Sequence, residues 1–400
     1  MRKVYLVVAL SLLLVSCGGP GPDTTPQNPS SPAEEPAQVP PKVVEEEGQD
    51  DFFQYQWNLH SGFSGLSGVK VNAGSDVKTA WEKTSGKGVK VAVIDFGFDS
   101  THEDFRNNVL LTYNAHTQTS NVEGMTGASS QWHGTAVASI IASRANNSLG
   151  IRGVAPEASL ILIKLENEGE NRGISGSQMG RAFDFAVNNG AKVINCSWGS
   201  YYPAREVDRI MFQDIKSRGI TVVFSAGNGN KNHSDYEQLV SDLDSVIGVG
   251  ASNEKNGRAF YSDFGPYIDV LAPAGDEWGI PSADVTGPDG YNKGDGTAQN
   301  DVELDLPDNY HMFSGTSAAA PMVSGMIVLL KAAHPELNED QIHQKLRDST
   351  DKIVGDTHKA TSSESNAPVP NESIENCSYD SSGFSTKCAY GKLNAKKLLN

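Results

Sequence analysis

The sequence predicts an α/β protein: a doubly wound, mostly parallel sheet flanked by helices. Two observations predict it. Short β-branched runs recur at 89–95, 160–165, 191–199, 219–228 and 245–252, and they are apolar throughout rather than alternating. That pattern marks strands buried on both faces. Helical segments lie between them: HGTAVASIIASRA from 133, SGSQMGRAFDFAVNNG from 175 and AREVDRIMFQDIKSRG from 204, the last two closing on glycine, as helix C-termini commonly do. Strands alternating with helices imply parallel crossovers, and function in such sheets gathers at the carboxyl ends of the strands.

Ahead of this body the chain opens with Arg2 and Lys3, then the apolar run VYLVVALSLLLV, then Ser16 and Cys17. Residues 1–16 read as an export signal, too short for a spanning anchor. The ending Leu14-Val15-Ser16-Cys17 resembles a bacterial lipobox. This implies a lipid on Cys17 and a mature chain tethered in the cell envelope, at the outer membrane or the outer face of the cell membrane. Residues 17–51, rich in Pro, Gly, Ser and Glu, cannot build a core and read as a flexible stalk. The folded domain is expected over 52–400.

The net charge is −17; removing the signal leaves 30 basic against 49 acidic residues, a charge of −19. Nucleic acid and anionic lipid surfaces are poor electrostatic partners for such a chain; acidity of this size serves solubility and also suits calcium. Four cysteines are present. With Cys17 set aside for lipid, Cys377 and Cys388 flank a polar loop and are expected to pair in an exported protein. Cys196, in an apolar strand, is expected as a buried thiol.

The element ends carry the candidate chemistry. The strand 89–95 closes on Asp95, the strand 219–228 on Ala226-Gly227-Asn228, His133 opens one helix, and Ser317 opens another in FSGTSAAAPMVSG. Each has a plain structural reading. Ser317 in particular could cap a helix, with Pro321 tolerated near its start. Together they supply acyl transfer: a weak serine nucleophile, an imidazole to take its proton, and a carboxylate to orient the imidazole.

VAVIDFGFDSTHEDF (91–105), HGTAVASIIAS (133–143) and SGTSAAAPMVSG (314–325) resemble the Asp, His and Ser motifs of the subtilase family of serine proteases. SAGN (225–228) resembles its oxyanion segment and INCSWG (194–199) its substrate-binding strand. The order Asp, His, Ser is the subtilisin one. The resemblance runs from about Phe52 to the end, where YGKLNAKKLL looks like the last helix of such a domain. It implies Ser317 as nucleophile, His133 as base and then acid, Asp95 as orienting carboxylate, and Asn228 as oxyanion donor. It also implies that Ser197, Trp198 and Gly199, with Ala226 and Gly227, receive an extended protein or peptide substrate as an added strand. A monomer is expected.

ANNSLGIRGVAP (145–156) resembles the family's calcium loop. The implied ligands are the Asn147 side chain, the carbonyls of Ala145, Leu149 and Ile151, and the Asp104 carboxylate, with Gln54 or Gln56 as a further oxygen; Ca2+ takes about six to eight oxygens. Two features depart from the family pattern. The interval between signal and enzyme is stalk rather than folding prodomain, so autocatalytic maturation is not expected. The acidic segment 275–312 is long and has three readings, a lid, a second calcium loop or a solvated insertion, of which the last is favoured.

Three alternatives frame the assignment. CSWG, SAGNGN and GTSAAAP also resemble the kexin branch, which cuts after basic residues, although no acidic pocket floor is evident in the sequence. An α/β-hydrolase esterase would need G-x-S-x-G and the order Ser, Asp, His, which is not the order here. A noncatalytic peptide-binding lipoprotein would be expected to lack one of the four groups, and all four are present.

Overall fold

Val91, Ala92, Val93 and Ile94 are wholly buried in β1 (Lys90–Asp95), so this strand needs cover on both faces. The same holds for β3 (Ser159–Lys164), β4 (Val193–Cys196), β5 (Thr221–Ser225), β6 (Ile247–Ser252) and β7 (Val270–Pro273). With β2 (Val109–Asn114), β10 (Thr350–Asp351) and β11 (Lys392–Leu393) they form a nine-stranded sheet in the order β10-β11-β7-β6-β5-β4-β1-β3-β2, parallel except for β10 against β11. The doubly wound α/β class expected from the unbroken apolar runs is the class observed.

The computed structural model describes residues 50–63, 66, 68–123, 131–166, 174–198, 203–287, 290–292, 304, 306–353 and 377–400. The signal, Cys17 and nearly all of the stalk lie outside these residues, as does Gly199. The chain divides into a unit of residues 1–44 and a unit of residues 45–400, and the second holds every element named below.

Helices cover both faces. One apolar layer joins α2 (Gln131–Ala142) and α5 (Thr316–Ala333) to the sheet; the other joins α3 (Gly176–Asn188) and α4 (Glu206–Ser217) to its opposite face. By length and composition α5 could cross a membrane, but 78% of it is buried inside the protein. It is a core helix, apolar all round for that reason. Two short helices, α1 (Val77–Ala80) and α7 (Ala395–Leu398), and α6 (Glu339–Asp348) complete the set.

Three local expectations change. Pro321 is not at the helix start: α5 begins at Thr316, so the proline lies one turn inside. The segment 275–312 is not solvated at its ends. It contributes β8 (Ile280–Ala283) and β9 (Tyr310–Phe313), an antiparallel ribbon docked on α2 through the Ala283 N–H, which donates to Ser139 Oγ at 2.9 Å. The tail 390–399 is not one helix either, because β11 pairs with β7 and Asn394 then caps α7, its side chain accepting from Lys397 N–H. Cys377 and Cys388 are joined by a disulfide, their Cα atoms 5.7 Å apart, and Cys196 is buried.

Candidate active site

The strand order reverses between β4 and β1, and the crevice at such a switch point receives ligands in α/β sheets. Asp95 ends β1 there and Ser197 follows β4. Asp95 is fully buried, and both its oxygens lie 3.0 Å from His133 Nδ1. The approach depends on the residue after the histidine. A Cβ on Gly134 would stand 2.2 Å from the Gly97 carbonyl oxygen and 2.9 Å from the Phe98 ring, so only glycine lets α2 come this close to the end of β1.

Burial disfavours a charged His133, but the Asp95 charge and its hydrogen bonds outweigh that, and the imidazole pKa is raised above its ordinary 6.5. Phe313, at the end of β9, meets the ring edge-on at 5.4 Å. His311 lies close by among Trp132, Tyr291 and Phe313. Burial first, and then the His133 charge, push it down to about 3, so it stays neutral.

Ser317 is the second residue of α5. Its hydroxyl donates to the Ser197 carbonyl at 2.9 Å rather than to His133, and the Ser197 hydroxyl donates back to the Ser317 carbonyl at 2.9 Å. Pro321 explains the second bond. The helical partner of the Ser317 carbonyl would be the N–H of residue 321, and proline has none.

Asn228 is oriented by Thr316. Its Oδ1 accepts from Thr316 N–H at 2.9 Å and from Thr316 Oγ1 at 2.8 Å, while Thr316 Oγ1 accepts from Gly227 N–H at 3.1 Å. With the oxygen so engaged, Nδ2 must face the other way. It lies beside Gly315, whose φ of +94° is left-handed, two residues before Ser317. Thr316 escaped the sequence reading although it adjoins Ser317, since nothing in GTS distinguishes a positioning threonine from a helix former. Trp198 donates its indole N–H to the Ile94 carbonyl at 2.7 Å and meets Phe224 edge-on, so its ring is tied toward the end of β1. Ala226 is buried directly after the end of β5.

The loop 145–151 alternates left-handed residues, Asn146, Ser148 and Gly150, with Ala145, Asn147, Leu149 and Ile151. The Gly150 carbonyl turns outward to accept from Phe52 N–H at 2.7 Å. Asp104 is fully buried beneath this loop; the donors to its oxygens, Asn147 Nδ2 and Ile151 N–H, both at 3.0 Å, are neutral amides. Burial, against those bonds and with the Asp50 charge assisting, pushes its carboxyl up to about 7.

Asp50 was not foreseen, having no signal beyond the end of an acidic run. It is 1% exposed, accepts from Asn147 N–H at 3.1 Å and pairs with Arg152 Nε at 2.9 Å. Gln56 instead exchanges bonds with the backbone of Arg152, and Gln54 reaches the Asp51 carbonyl. A buried carboxylate with no cation among those donors, under a loop of alternating backbone, fits an oxygen-ligated divalent ion.

Residues 86–372 match the Subtilase family, peptidase S8. The calcium-dependent protease of Trichormus variabilis is 29% identical over 388 residues, covering 89% of this chain and 52% of that one, so the chain spans about half the length of that relative. Subtilisin Savinase of Lederbergia lenta is 32% identical over 271 residues, covering 67% of this chain and 86% of that one. Among solved structures, the serine protease of Aeromonas sobria, determined in complex with a chaperone, aligns with a TM-score of 0.72 at 24% identity over 88% of this chain and 66% of that one, a likeness of fold. Motif order, the Asp95–His133 pair at the switch point and the family match converge: the chain belongs to the subtilase family of serine endopeptidases.

Proposed function

We propose that the chain is an exported, lipid-anchored serine endopeptidase in which Ser317 attacks the peptide carbonyl. His133 takes the serine proton and passes it to the leaving amine. Asp95 holds the imidazole in the tautomer that leaves Nε2 free and stabilises the imidazolium. Asn228 Nδ2 and the Ser317 N–H donate to the oxyanion at the positive end of α5. The observation that carries this reading is the paired contact of His133 Nδ1 with both Asp95 oxygens at 3.0 Å, while the Ser317 hydroxyl is held on the Ser197 carbonyl. Catalytic bonds commonly tighten only when substrate is present.

Ser197, Trp198 and Gly199 receive the substrate backbone, with Ala226 and Gly227 opposite. Cleavage after basic residues gains no support from the loop beyond Asn228, since the carboxylates packed under it, Asp242 and Asp263, already face His233. Calcium is held by Asp104, Asn147 and the carbonyls of Ala145, Leu149 and Ile151, with Asp50 adjacent; the ion supplies positive charge to a buried carboxylate and no catalytic step. The names of two relatives, a calcium-dependent protease of Trichormus variabilis and an extracellular protease of Xanthomonas campestris, agree with an exported calcium enzyme.

The test is Ser317→Ala. It is expected to abolish peptide hydrolysis and labelling by a serine-directed phosphonate while the protein still unfolds cooperatively; undiminished turnover sinks the assignment. Cys17→Ser is expected to release the protein from the membrane fraction, and full retention argues against the lipid tether.

A further inference from the structure

His233 lies outside the catalytic groups yet reaches the loop that carries Asn228. It begins the helical turn His233–Asp235 and is wholly buried. Its Nδ1 faces Asp242 Oδ1 at 2.6 Å; its Nε2 faces the Ala226 carbonyl at 3.1 Å and Asp263 Oδ2 at 3.8 Å. All three neighbours are acceptors. A neutral imidazole has one N–H and one lone pair, so either tautomer would set a lone pair against an oxygen. Only the doubly protonated ring satisfies the site. Burial opposes that charge, but the bonds and charges of Asp242 and Asp263 outweigh it and raise the pKa to about 9.

The same array grips the loop 226–231. Asp263 Oδ1 accepts from Gly229 N–H at 2.9 Å and Lys231 N–H at 2.7 Å, and Asp263 N–H donates to the Gly227 carbonyl at 2.9 Å. Asp242 is fixed in turn by Leu239 N–H at 2.9 Å and Ser241 Oγ at 3.3 Å. Arg258, the cation on the far side of Asp263, bonds to the Ser262 carbonyl and to Asn230 Oδ1. Asn228 is thus bracketed by contacts at Ala226, Gly227 and Gly229 that all lead back to His233 or Asp263.

We propose that His233, as an imidazolium clamped between Asp242 and Asp263, is a positioning residue that holds the Ala226 carbonyl and the 226–231 loop so that Asn228 meets the oxyanion. The inference rests on the oxyanion role of Asn228. Loss of the His233 proton turns one clamp contact into a repulsion between lone pairs, and the loop releases Asn228.

The experiment measures kcat and KM for a chromogenic peptide on the full chain across alkaline pH. It compares wild type, Asp263→Asn, His233→Gln, Asn228→Ala and the last two combined. Wild-type kcat is expected to fall above about pH 9. Asp263→Asn keeps an oxygen for Gly229 and Lys231 but removes a charge, so the fall moves to lower pH, by about one unit.

His233→Gln is expected to lower kcat about tenfold at neutral pH and to cost less than about twofold once Asn228 is already alanine. An alkaline fall unmoved by Asp263→Asn, or a His233 effect that multiplies fully onto Asn228→Ala, overturns the inference while the oxyanion reading stands. An Asn228→Ala enzyme with unchanged kcat overturns that reading and the inference with it. If His233→Gln does not fold, the shift in Asp263→Asn decides alone.

Discussion

Ser197 and Ser317 are bonded to each other twice, each hydroxyl donating to the other's backbone carbonyl at 2.9 Å. Behind them the polar chain continues through the core. Ser324 Oγ donates to Asn195 Oδ1 at 2.8 Å, and Asn195 Nδ2 donates to Ser197 Oγ at 2.9 Å. The first turn of α5 is therefore fastened to the end of β4 at the one carbonyl that Pro321 leaves without a helical donor. Ser197→Ala strips that carbonyl of its donor and is expected to cost about 1–3 kcal/mol in urea unfolding. Adding Pro321→Ala restores an N–H at the helical position, so the double variant is expected to be more stable than Ser197→Ala alone. If the second substitution only adds to the loss, the Ser317 carbonyl is not the link between them.

Asp95→Asn removes the charge that holds the His133 pKa up. The base must be neutral to accept a proton, so the wild-type acid limb of kcat/KM lies above the ordinary 6.5. In Asp95→Asn it moves to lower pH, while kcat falls on the order of 10⁴ because the wrong tautomer is held. The sign for stability is the reverse of that for activity. A raised folded-state pKa stabilises the fold fully below the unfolded pKa, and the contribution fades as pH rises through the folded value. An acid limb that stays in place in Asp95→Asn removes Asp95 from the role.

Asn228→Ala is expected to lower kcat by about 10²–10³ with KM nearly unchanged, since the amide is needed mainly in the transition state. Thr316→Val keeps the side-chain volume but removes the hydroxyl between Gly227 N–H and Asn228 Oδ1. It leaves one bond, from Thr316 N–H, to orient the amide, so kcat falls in the same direction by less. Steady-state kinetics that place either effect in KM alone contradict the geometry.

Calcium at 100 times its Kd adds about 2.7 kcal/mol to a fold that binds it when the unfolded chain does not. Chelation is expected to lower the melting temperature and speed self-digestion, and Asp104→Ala to remove most of that difference. Asp276, inside the 275–312 segment, is bonded to Asn253 and to Phe260 N–H, and its substitution is expected to leave the chelator effect intact. Equal chelator shifts in wild type and Asp104→Ala place the ion elsewhere.

Gly134→Ala tests the approach of α2 to β1. The added methyl meets the Gly97 backbone carbonyl first and the buried Phe98 ring next, so a loss of about 1–3 kcal/mol is expected. Activity falls further than stability, because the displacement falls on His133. Wild-type kinetics in this variant would show that the helix moves without cost.

The sequence by itself determined the five central strands β1, β3, β4, β5 and β6, because burial on two faces writes a continuous local run such as VAVID, and it set Asp95 at the end of β1 and Ser317 at the start of a helix. The runs expected over 191–199 and 219–228 overshoot β4 and β5, and β2, β7, β10 and β11 carry no such run. It did not determine which partner each polar group takes. Ser317 chooses Ser197 across 120 residues, Asn228 chooses Thr316 across 88, and Asp50 comes to lie beside Asn147 across 97. The charge of His233 likewise depends on Asp242 and Asp263 converging on one ring. A backbone run can be read from its neighbours in the chain. The partner of a buried hydroxyl, amide or imidazole is decided only when packing brings distant acceptors within about 3 Å and shuts out the water that would otherwise satisfy it.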